Sequence, residues 1–136
     1  MRRMTAPTFS QLVALRKDWI EQELKPWCTA ARLADLKMAE LEWPDIAGKV
    51  APDATLWAWA WSRFPALVHP ELGQIDETRE VVVMLHDGRR VVGFPDARQS
   101  RQGTLVVFSR QAGALPRYAD AGPFVIDDIA QITRLE

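Results

Sequence analysis

The segment Glu80-Val-Val-Val-Met-Leu-His-Asp-Gly-Arg-Arg-Val-Val-Gly93 constrains the fold more than any other. Two valine-rich runs flank Asp87-Gly88. Asp-Gly between apolar runs is a strong hairpin signal, because a type I′ turn needs positive φ at both central residues. The predicted hairpin divides the chain. A helical region covers residues 1–72, and a small β-rich region covers residues 73–136. The sequence does not say whether the two share one core.

Residues 8–25 read as an amphipathic helix. Phe9, Leu12, Val13, Trp19, Ile20, Leu24 and Trp27 recur at three- and four-residue steps. Thr8 with Gln11 matches a capping box, and Pro26 is expected to stop the helix. Residues 29–42 read as a second helix, with Thr29 as cap, Leu33, Leu36 and Leu41 on one face, and Trp43-Pro44 as its end. The segment 54–64 reads two ways. A strand would set Trp57, Trp59 and Trp61 on one face. A helix would put Trp57, Trp61 and Phe64 on one stripe, with Trp59 about 160–200° away. The interleaved alanines favour helix.

After residue 79 the chain reads as strands: Glu80–Leu85, Arg89–Phe94, Thr104–Ser109, Phe124–Ile126 and Ile129–Leu135, with a tight turn at Asp127-Asp128. Residues 95–103 and 110–122 read as connections. The fold class is therefore α+β: N-terminal helices followed by a small, strongly bent antiparallel β-barrel.

The pattern Val81-x-Val83-x-Leu85-x-Asp87-Gly88-Arg89-x-Val91-x-Gly93 resembles the first half of the Sm-like barrel motif. Thr104–Phe108 and Phe124–Ile132 suit the remaining strands. The order is also similar to that of the Rho-binding antiterminator group. The resemblance covers residues 80–134 and implies an Sm/SH3-like barrel that binds RNA. The Asp-x-Met-Asn loop with which the Sm family grips a base has no counterpart in Asp96-Ala-Arg-Gln-Ser-Arg-Gln-Gly103. The helical half resembles no family.

The chain has 136 residues, a net charge of −1 and 48% hydrophobic residues. This composition argues for a globular core and against a basic field that would attract nucleic acid or lipid. No apolar run reaches the roughly 18 residues that span a bilayer. Cys28 is the only cysteine, which rules out an intrachain disulfide and suits a reducing cytoplasm. Cys28 beside Trp27 reads as a packing residue rather than a partner of His69 or His86. Two histidines 17 positions apart lack zinc-ligand spacing, and Asp127-Asp128 reads as a turn. No phosphate loop or nucleophile elbow is present. No cofactor and no metal are expected.

The candidate binding surface is polar. Arg89 and Arg90 follow the hairpin turn; Arg98, Gln99, Arg101 and Gln102 lie in the next loop, expected to curl towards it. Arginine forks suit phosphates, RNA or an acidic protein surface. Trp59 is a second candidate, at an interface or a homodimer seam. These features point to a non-enzymatic cytoplasmic interaction module that binds a protein or a second copy of itself. The alternative is an RNA-binding protein that uses the arginine loop.

Overall fold

A computed structural model describes residues 6–71, 73–111 and 117–135. It is an α+β structure in which helices precede a five-stranded antiparallel sheet.

Helix α1 spans Phe9–Trp19 and opens on the expected capping box: the Gln11 amide donates to Thr8 Oγ1 at 3.1 Å, and the Thr8 amide donates to Gln11 Oε1 at 2.8 Å. Pro26 does not stop the helix. A π-helical stretch, Ile20–Leu24, leads directly into α2, Lys25–Ala30. The Lys25 amide closes the wider turn on the Ile20 carbonyl, and Pro26 then falls in the first turn of a new α segment. There a missing N–H costs least. Thr29 caps nothing; its hydroxyl donates to the Pro26 carbonyl at 2.7 Å.

Helix α3 runs Leu33–Ala47, starting later and ending later than expected. Pro44 sits in the last turn, so its missing N–H removes one ladder bond without breaking the axis. Gly48, at φ +63°, ends the helix. Leu36 and Trp43 are buried, whereas Leu41 is 75% exposed, so Leu41 does not share their face. The Trp43 indole N–H donates to Thr55 Oγ1 at 3.0 Å. Between Trp57 and its neighbours the helical reading holds: α4 is Leu56–Trp61, preceded by a short 3-10 turn at Pro52–Ala54.

The strands are β1 Val81–Leu85, β2 Arg90–Pro95, β3 Thr104–Gln111, β4 Arg117–Val125 and β5 Ile129–Arg134, ordered β4-β3-β2-β1-β5. The sheet is open, with β4 and β5 as its edges. β4 begins inside the segment expected to be a connection. It is an edge strand, mostly exposed, so it carries no apolar alternation, and an edge tolerates Pro123. The β1–β2 hairpin is real, with Val83 opposite Val91, but its turn is not type I′. The Leu85 amide donates to the Arg89 carbonyl and the Gly88 amide to the Leu85 carbonyl, and only Gly88 has positive φ. This is a three-residue loop, a type I turn closed by a left-handed glycine. Gly93 is required by packing: a Cβ there would strike the backbone carbonyl of Phe108 on β3.

One apolar cluster joins helices and sheet. Cys28, Leu36, Trp43, Leu56, Trp57 and Trp61 pack with Val81, Val83, Leu105, Val107, Ile126 and Ile132. The seam is also polar. Leu33 donates its amide to Asp127 Oδ1 at 2.8 Å, so a turn 94 positions away caps α3. Arg63 donates to the carbonyls of Cys28 at 2.9 Å and Ala31 at 2.8 Å, at the end of α2, and to that of Ala60 in α4 at 2.9 Å.

Candidate functional site

The β2–β3 loop is ordered by its own side chains. Asp96 Oδ1 accepts from the amides of Arg98 and Gln99, and Asp96 Oδ2 accepts from Gln99 Nε2 at 2.8 Å. The Gln99 side-chain bond, followed by the backbone bonds, holds the Asp96 carboxyl below its ordinary pKa. Gln99 Nε2 also reaches Asp120 Oδ2 on β4 at 2.9 Å. Arg101 Nε donates to the Arg98 carbonyl at 3.1 Å. Gln102 sits at φ +49° and donates to Glu40 Oε1 at 3.4 Å, while the other Glu40 oxygen accepts from the Trp57 indole. Gly103 follows at φ +83°, so close to α3 and α4 that a Cβ would meet Leu33 and stand 3.0 Å from Trp57.

This loop brings Arg98, Arg101 and Gln102 to one groove of about 780 Å3, whose floor includes Trp57 and Trp61 of α4. Asp53 and Glu77 line it as well, so its charge is mixed. Arg89 and Arg90 are not part of it. Arg90 begins β2 and Arg89 precedes it, and the loop follows Pro95 at the other end, about 17 Å from Arg90 for an extended strand. Arg89 is paired with Asp87 at 2.8 Å, and that carboxyl is held below its ordinary pKa by the Arg89 backbone amide and then by its side chain. Gln99 points its amide at two carboxylates. The six polar candidates are therefore split between two places.

Trp59 is elsewhere again. It is half-buried, edge-on to Trp43 with ring centroids 6.0 Å apart, and Lys25 Nζ lies 5.4 Å from its ring centre. It faces α2 and α3, while Trp57 and Trp61, on the opposite side of α4, enter the main core.

Cys28 is fully buried, and burial raises its thiol pKa to about 11, against the lowering influence of Arg63. A thiol held protonated is a poor nucleophile. Burial lowers the Arg63 pKa, with Asp127 and Cys28 opposing. Among the described residues no group of three or more His, Cys, Asp and Glu side chains is placed to hold a metal, and no helix is long and apolar enough to cross a membrane.

Sequence reasoning missed the apolar surface around α1. None of its eleven residues is buried: Phe9 is 81% exposed, and Leu12 and Leu15 are at least half exposed. Its amphipathic period was legible, but period says nothing about what covers the apolar face. Beside α1, a second groove of about 490 Å3 runs between the continuous helix and α3. Trp19, Leu24, Trp27 and Trp43 form its apolar walls; Glu23, Asp35 and Glu42 add carboxylates. Arg16 ties the two sides at one end by donating to the Ile46 carbonyl near the end of α3. Comparison with protein-family models, with curated proteins and with solved structures gave no match.

Proposed function

We propose that this chain is a non-enzymatic, cytoplasmic protein-interaction module that docks through the apolar face of α1 and the adjoining groove. The observation that carries this reading is α1 itself. Burying one large apolar side chain is worth about 1.5–3 kcal/mol, and α1 leaves Phe9, Leu12 and Leu15 in water with no core residue in return. Contiguous exposed apolar surface of this kind marks interaction sites. Cys28, a single free cysteine, suits a reducing compartment.

The test is affinity capture of the tagged protein with and without nuclease, alongside the Phe9→Glu/Leu12→Glu variant. A nuclease-resistant protein partner that the variant loses is the expected result. Equal capture by both proteins would remove α1 from the interaction.

The second reading is an RNA-binding protein of Sm/SH3-like, strongly bent barrel type. The five short antiparallel strands and the groove holding Arg98 and Arg101 support it. It requires salt-dependent binding of single-stranded RNA that Arg98→Glu/Arg101→Glu abolishes. Absence of micromolar binding at low salt would end it.

A further inference from the structure

We infer that the partner of α1 is a second copy of this chain, with α1 of each protomer lying in the tryptophan groove of the other. This inference rests on the interaction reading above and names its occupant.

The chain carries both halves of one interface. The first is a helix with no buried residue, which touches α3 only towards its C-terminal end, where Arg16 reaches the Ile46 carbonyl and Trp19 lines the groove. Phe9, Leu12, Val13, Arg16 and Trp19 recur at three- and four-residue steps along one side of α1, and its last turn is basic through Arg16 and Lys17. The second is a groove with apolar walls and acidic residues, Glu23, Asp35 and Glu42. Among the described residues none of these three carboxylates takes part in an ion pair or a side-chain hydrogen bond. The apolar surfaces match each other, and Lys17, in no ion pair among the described residues, is opposite in charge to the groove carboxylates.

The lengths agree as well. Phe9 to Trp19 is ten steps, about 15 Å at 1.5 Å per residue, and Asp35 to Ile46 along the groove is eleven steps, about 16 Å. The arrangement also closes. Trp19 ends α1 and lines the groove, so helix and groove adjoin on each protomer. Two chains related by a two-fold axis near Trp19 would run their long helices antiparallel. Each α1 would then pass beside the other protomer's π segment and α2, bringing Lys17 of one chain near Glu23 of the other. Such an interface is isologous and leaves no end open for further growth. The surface available suits a dimer: burying several large side chains at about 150–250 Å2 per aromatic approaches the roughly 800 Å2 per partner of a standard interface.

The experiment is sedimentation equilibrium of the full chain and four variants, with far-UV circular dichroism as the folding check. Wild type is expected to dimerise with a micromolar or tighter Kd. Leu12→Glu is expected to weaken the dimer at least about tenfold while leaving the fold intact, because no α1 residue is buried. Leu41→Glu, on exposed α3 surface outside the groove, is expected to leave it unchanged. Lys17→Glu is expected to weaken it, and Lys17→Glu/Glu23→Lys to restore it. A wild type that stays monomeric at about 100 μM overturns the inference. So does a Leu12→Glu variant that remains dimeric, or a Lys17→Glu defect that Glu23→Lys does not rescue. In the monomeric case, capture of a different protein lost in Phe9→Glu/Leu12→Glu would leave the interaction reading standing.

Discussion

Helices α1 and α4 have opposite local quality and opposite burial. α1 has a complete capping box and eleven residues, yet none is buried. α4 has six residues and no side-chain cap, yet Leu56, Trp57, Ala60 and Trp61 are all buried. Short isolated helices are marginal in water, so α4 is held by the sheet and neighbouring helices rather than by its own propensity. α1 is helical through its capping box and its continuation into the π segment and α2, and it stands outside the core. The difference separates two uses of apolar residues. In α4 they assemble the fold; in α1 they await a partner.

The largest test of this contrast is Trp61→Ala against Leu12→Ala. Emptying a buried tryptophan site is expected to cost about 3–5 kcal/mol in urea unfolding. Leu12→Ala, measured at a dilution that keeps the protein monomeric, is expected to stay within about 0.5 kcal/mol of wild type. A loss of comparable size at Leu12 would place α1 in the core and break the comparison.

Next in size is the seam that holds the helices to the sheet. Arg63→Met removes bonds to the Cys28, Ala31 and Ala60 carbonyls and is expected to cost about 2–3 kcal/mol, read by the same unfolding curves. Asp127→Ala removes the acceptor at the start of α3 and is expected to cost about 1 kcal/mol. Amides early in α3 should then exchange faster with solvent, while those of α1 do not change.

The smallest effect at neutral pH belongs to Cys28. Its folded thiol pKa is raised from the ordinary 9.0 to about 11, so the folded state binds the proton more tightly than the unfolded state. The associated stability is therefore intact below pH 9 and is lost as pH rises towards 11. Wild type is expected to lose stability across that window relative to Cys28→Ala, and native thiol labelling at pH 8 should be slow. Rapid labelling of the native protein would show that the α2 seam opens far more readily than its packing implies.

The parts of the fold that rest on local chemistry could be read from the sequence. The Thr8 cap and the β1–β2 hairpin depend on neighbours in the chain; the alanines between Trp57 and Trp61 favour a helix that the core then holds. What escaped depends on distance. Pro26 is a stop signal only when the turn before it is α; a π turn changes which carbonyl it meets. β4 has the composition of a loop because an edge strand buries little. Nothing near Leu33 announces that Asp127 will cap it. Of the candidate site, Arg98, Arg101 and Gln102 were recognisable as one loop. Their separation from Arg89 and Arg90 follows from the direction of β2, which no residue type encodes. The exposure of α1 was hidden for the same reason: an apolar stripe predicts that something will cover it, and only the tertiary structure shows that the described residues do not bury it.

Hydrogen exchange across a range of protein concentrations tests the central claim most directly. At high dilution the amides of residues 9–19 are expected to exchange with little protection, while those of α4 and β1 stay protected. Protection of residues 9–19 is expected to rise with concentration as the partner surface closes over them. Equal, concentration-independent protection in α1 and α4 would contradict the claim, because α1 would then be stabilised by its own chain and would need no partner.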